Sequence, residues 1–64
     1  MNNELMAAFK ALRVSERTSV LQELGYNMSP AVHETGSEFA LRVLRQVSSD
    51  GIVRELEAAM RRFQ

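Results

Sequence analysis

The sequence predicts an all-α fold of four to five short helices, closing in a C-terminal helical hairpin and assembled as a dimeric bundle. Three observations lead there. Apolar residues recur at helical spacing along most of the chain. The gaps between these stripes fall at Gly25, Ser29-Pro30, Gly36 and Ser48-Ser49-Asp50-Gly51, which are residues that cap and bend helices. With 64 residues and no cysteine, the chain can draw on neither disulfides nor thiolate zinc sites, so stability has to come from tight helix packing or from another chain.

The clearest stretch runs from Ser37 to Phe63. Phe39, Ala40, Val43, Leu44 and Val47 form one apolar stripe, with Glu38, Arg42, Arg45 and Gln46 on the other side of the same helix. Val53, Leu56, Met60 and Phe63 follow at three-four-three spacing, flanked by Ile52 and Ala59. A turn near Ser49-Asp50-Gly51 separates the two, and Ser37 is the expected cap of the first. Upstream, Asn2 or Asn3 caps a helix whose stripe is Leu5, Phe9 and Leu12. A break near Ser15 starts a second helix that buries Val20, Leu21 and Leu24, the alternative being one long helix to Leu24, since no glycine or proline intervenes and the two stripes nearly align. Gly25 ends it in a left-handed closing turn that sends Tyr26 back toward Leu21. Ser29-Pro30 then opens one or two turns of helix over Ala31 to Thr35, stopped by Gly36. No repeat or linker divides residues 1–64, which read as a single all-helical domain.

The first hairpin helix is apolar over close to half its circumference once Leu41 is counted, whereas packing on one neighbour needs a stripe of about 100°. That excess predicts a homodimer. Its interface, or that with another partner, is expected at Phe39, Leu41, Leu44, Val53, Leu56, Met60 and Phe63. Arg42, Arg45, Arg54, Arg61 and Arg62 are candidate contacts for an acidic partner. The spacings Glu38 to Arg42 and Glu57 to Arg61 also fit a salt-bridged, solvated face. Met6, Met28 and Met60 read as core fillers.

Catalytic and ligand chemistry finds little to stand on. His33 is the single histidine, and Ser37 occupies the position where a metalloprotease helix needs its second, so no metal site is expected. The serines at 15, 29, 37 and 49 stand where helices begin, the place of a capping residue, and none lies in a nucleophile elbow. Three scattered glycines without a following Lys-Ser or Lys-Thr make no phosphate loop, and no cofactor is expected. Arg17 to Thr35 has the layout of a helix-turn-helix, but its second helix lacks Arg and Lys, and Glu34 would face phosphates. With eight basic against eight acidic residues, nucleic acid is a poor partner. No apolar run reaches the roughly 20 residues of a membrane span, and the start of the chain does not resemble a signal peptide. The expectation is a small cytoplasmic, non-enzymatic adaptor or regulator that works through protein contacts, with a DNA-binding regulator as the alternative.

Overall fold

The computed structural model describes residues 3–64, which contain four α-helices and a final 3-10 turn. These are α1 (Asn3–Ala11), α2 (Val14–Glu23), α3 (Gly36–Ser49), α4 (Val53–Met60) and the turn Arg61–Phe63. The radius of gyration, 10.6 Å, equals the roughly 10.7 Å expected of a closed 64-residue domain.

Helix α1 buries Leu5 and Phe9, one turn apart, and Leu12 follows just past its end. Asn3 is already helical, and the other expected cap, Asn2, lies outside the described residues. The break before α2 comes at Leu12-Arg13, two residues earlier than Ser15. Arg13 takes extended backbone (φ −67°, ψ 159°), and its N–H donates to the Glu16 carboxylate at 2.8 Å. Glu16 holds the break because it stands three residues beyond Arg13, where a side chain can reach back to an exposed amide. Ser15 has Thr18 at that position, and the Thr18 hydroxyl instead donates to the Val14 carbonyl at 3.0 Å.

The entry to α3 follows the same logic. Its cap is Thr35, not Ser37: the Glu38 N–H donates to Thr35 Oγ1 at 3.1 Å and the Thr35 N–H to Glu38 Oε1 at 2.9 Å. A threonine with glutamate three residues on satisfies two exposed donors reciprocally, whereas three residues beyond Ser37 stands Ala40, which cannot return the bond. Gly36 is therefore the first helical residue rather than a stop, and Glu38 is drawn away from Arg42.

Helices α2 and α3 end identically. Gly25 (φ +83°) and Gly51 (φ +71°) take the left-handed conformation. The N–H groups of Tyr26 and Ile52 reach back to the carbonyls of Leu21 and Val47 at 2.8 and 3.1 Å, those of Gly25 and Gly51 to Gln22 and Ser48 at 3.0 and 3.1 Å. This bond pair satisfies carbonyls that a helix end leaves free, and a Cβ would resist the φ it requires.

The short helix expected over Ala31 to Thr35 does not form. Only a turn is present at Val32-His33, closed by the Glu34 N–H on the Ala31 carbonyl at 3.0 Å. So brief a helix has to recover the cost of its first turn by burying a face, and Val32 is 94% exposed. The helix-turn-helix layout consequently lacks the helix that would enter a groove of DNA.

All four helices feed one core, and no polar or charged residue is buried among those described. The α3 arc of Phe39, Ala40, Val43, Leu44 and Val47 is covered within the chain by α1, α4 and their neighbours. Phe9 meets Phe39 with ring centroids 6.4 Å apart at 46°, a tilted contact that joins α1 to α3. Leu41, which on sequence grounds widens this arc, stands outside the core cluster and stays half-buried.

The three glycines allow a direct check, since a Cβ would meet open space at each and only backbone conformation distinguishes them. Gly51→Ala is expected to cost about 1–2 kcal/mol, and Gly36→Ala, at an ordinary helical φ, to stabilise by roughly 0.5 kcal/mol. Urea unfolding of the two variants reads the difference; equal effects would contradict the left-handed turn at Gly51.

Candidate functional site

The segment from Gly25 to Thr35 has no regular structure, yet it is fixed to α3 by side chains that stand one turn apart. Arg42 forms a two-pronged ion pair with Glu34, Nε to Oε2 and Nη2 to Oε1 both at 2.9 Å, and the same Nη2 donates to the Ser29 carbonyl at 2.8 Å. The Ala31 N–H adds a bond to Glu34 Oε1 at 3.0 Å. These donors stabilise the ionised form, so the Glu34 carboxyl is lowered to about 2, chiefly by Arg42 and then by the Ala31 amide. The Arg42 guanidinium, raised in turn by Glu34, lies 5.2 Å from the Phe39 ring centre. Two turns on, Asp50 accepts a hydrogen bond from the Tyr26 hydroxyl and two from the Gln46 amide at 3.1 and 3.2 Å. Burial, then the Asp50 hydrogen bond and charge, push the Tyr26 phenol up to about 12, while Asp50 is lowered by Tyr26 and Gln46.

Held this way, residues 26–30 form one wall of a groove of about 200 Å³ whose other wall is α2. Leu21 and Phe39, both buried, make its floor, and the half-buried Tyr26 and Met28 line the loop side. Val14, 68% exposed, stands along the α2 side, with Arg17, Thr18, Gln22 and Asn27 supplying polar groups. Arg17 is the one charged side chain in this lining, and no carboxylate pairs with it among the described residues. Two other depressions are less suited to hold anything. One, on α3 alone, has no second wall, and the other, between α1 and the end of α4, is flanked by Glu4, Glu57 and Arg61.

The residues expected at an interface are distributed differently. Phe39, Leu44, Leu56 and Met60 are packed inside the chain's own core, with exposures of 3%, 2%, 0% and 1%, because the same periodicity that makes a seam also makes a core. Leu41, Val53 and Phe63 are half-buried and keep some surface. Arg42 is committed to Glu34, Arg62 pairs with Glu23 at 3.4 Å and lies over the Phe63 ring, and Arg45, Arg54 and Arg61 are exposed. Neither expected helical pair forms: Glu38 caps α3, and Glu57 and Arg61 share a crevice without an ion pair among the described residues. The serines at 15 and 37 lie inside helices and cap nothing; Met6 and Met28 pack on the edge of the core and Met60 within it.

Periodicity does not mark Val14, Arg17 or Val32, which sit off every stripe. A valine with no helical partner on its face was the available signal. Among the described residues no three metal-binding side chains converge, and no helix is long and apolar enough to cross a membrane. No protein-family model matches the chain, and neither a curated protein nor a solved structure matches it.

Tyr26 is the single tyrosine and there is no tryptophan, so ultraviolet absorbance reads its ionisation alone. The folded-state value is raised from 10.0, so the stability Tyr26 contributes is present below pH 10 and is lost as pH rises through about 12. A native midpoint near 12, partly lowered in Asp50→Ala, is expected; a midpoint at 10 in folded protein would contradict the Tyr26 environment described.

Proposed function

We propose that this chain is a cytoplasmic, non-enzymatic adaptor or regulatory protein that acts by binding another protein through the groove between α2 and residues 26–30. The observation that carries the reading is a groove over a closed apolar floor whose walls present apolar side chains that keep surface, Val14 at 68% exposure on the α2 side and the half-buried Tyr26 and Met28 on the loop side. Exposed apolar side chains grouped beside a concavity are what a contact surface requires, since burying them on a partner recovers the hydrophobic free energy that folding left unused. A wall already ordered in the free protein lowers the entropy lost on binding. A dimeric bundle built through the α3–α4 hairpin would have to use Leu41, Val53 and Phe63, the members of the expected seam that retain surface.

Val14→Asp and Leu41→Asp separate these arrangements, because both positions have exposed surface and neither lies in the core cluster. Immobilised wild-type protein and Leu41→Asp are expected to retain one stoichiometric protein from a lysate of the source cell, and Val14→Asp to lose it. Retention by Val14→Asp with loss by Leu41→Asp would move the contact to α3, and turnover of a small molecule by the purified chain would overturn the reading.

A further inference from the structure

We infer that the groove receives a short segment of a partner protein that presents one apolar side chain with a carboxylate close by in sequence, the apolar group between Val14 and Met28 above the floor of Leu21 and Phe39, and the carboxylate on Arg17. This deepens the proposed function and rests on it. Size decides the class of occupant first. At about 200 Å³ the groove falls below the roughly 300–1,000 Å³ of sites that enclose a drug-sized molecule, and it suits a single anchoring side chain. Area favours a short segment over a whole folded surface, that of a second copy included. A standard interface takes about 800 Å² and 20–30 residues from each partner, whereas eleven residues line this groove on a protein whose whole accessible surface is 4368 Å².

Charge then narrows the chemistry. The chain is neutral overall, but the groove carries one cation, Arg17, with no acidic residue in its lining and no partner for the guanidinium among the described residues. An arginine that is half-buried beside an apolar floor favours a planar carboxylate, which its fork can hold by two parallel bonds. The loop wall points to a peptide rather than a free acid. The backbone N–H groups of Asn27, Met28 and Ser29 have no acceptor among the described residues, although Arg42 fixes the Ser29 carbonyl and Tyr26 is tied to Asp50. Backbone N–H groups left without an acceptor beside the groove can donate to the carbonyls of a peptide segment, which a free acid lacks.

The test uses synthetic blocked hexapeptides carrying one Leu or Phe followed at one or two residues by Asp, with companions in which Asp is replaced by Lys or the apolar residue by Asn. Titration into ¹⁵N-labelled protein should shift amides of residues 14–22, 26–29 and 39 while leaving α4 unmoved. The Asp peptides should bind about tenfold more tightly than the Lys peptides, the scale of one hydrogen bond to a charged group. Arg17→Ala should erase that preference while leaving the requirement for the apolar residue intact. Absence of shifts at millimolar peptide, equal binding of Asp and Lys peptides, or a preference that survives Arg17→Ala would each overturn the inference. So would shifts of the same amides on simple dilution of the free protein, which would identify a second copy as the occupant. If the peptides fail while Val14→Asp still abolishes capture of a protein, this inference falls and the proposed function stands; if capture survives Val14→Asp, the proposed function falls.

Discussion

Everything else in this molecule depends on α3 being used on two sides at once. Its apolar arc, Phe39 to Val47, is the middle of the core, and on the adjoining side Arg42, Gln46 and Asp50 stand one above another at intervals of four. The first side closes the fold. The second turns an irregular connection of about ten residues into a fixed wall, through the Glu34 ion pair, the Ser29 carbonyl and the Tyr26 hydroxyl. Asp50 at the C-terminal end of α3 is an awkward place for a carboxylate, because the helix dipole is negative there. Two donors, from Tyr26 and Gln46, offset that repulsion. Tyr26 is delivered to it by the left-handed turn that ends α2, so the closing glycines of both helices set the geometry of one hydrogen bond.

Much of the fold was legible because it is written locally. The turn at Asp50-Gly51, the closing of α2 at Gly25 with Tyr26 folded back on Leu21, and the stripes of α1 and α3 all follow from residues within one or two turns of each other. The misplaced boundaries share one cause. A serine stands before the stripe at 15 and at 37, yet a cap is secured by what stands three residues later, and glutamate does so for Arg13 and Thr35 but not for Ser15 or Ser37. The absent helix over Ala31 to Thr35 has a different origin. Pro30 and Gly36 leave it too little length to bury anything, and the side chain of Glu34 is drawn across to Arg42, eight residues away, where no local pattern anticipates it.

The candidate site was the least legible part, for a reason that applies to small helical proteins generally. Periodicity reports which residues face inward. In a chain of this size the inward set is nearly all consumed by the core, so Leu44, Leu56 and Met60 stabilise the fold and are closed to a partner. The groove is built from what the stripes leave over: Val14 and Arg17 on the weakly amphipathic α2, and Met28 and Pro30 on a connection. The connection is held by contacts from α3 and its C-terminal end across intervals of 8 to 24 residues, beyond the reach of any local pattern.

The central claim is that residues 26–31 are a rigid wall made so by α3. Backbone ¹⁵N relaxation on the free protein tests it most directly. The amides of residues 26–29 and 31 are expected to have order parameters close to those of the helices, about 0.85, falling toward 0.6 or lower between residues 28 and 34 when Arg42 is replaced by Ala, with α1 and α4 unchanged. Order parameters below about 0.6 over the same amides in the wild-type protein would contradict it.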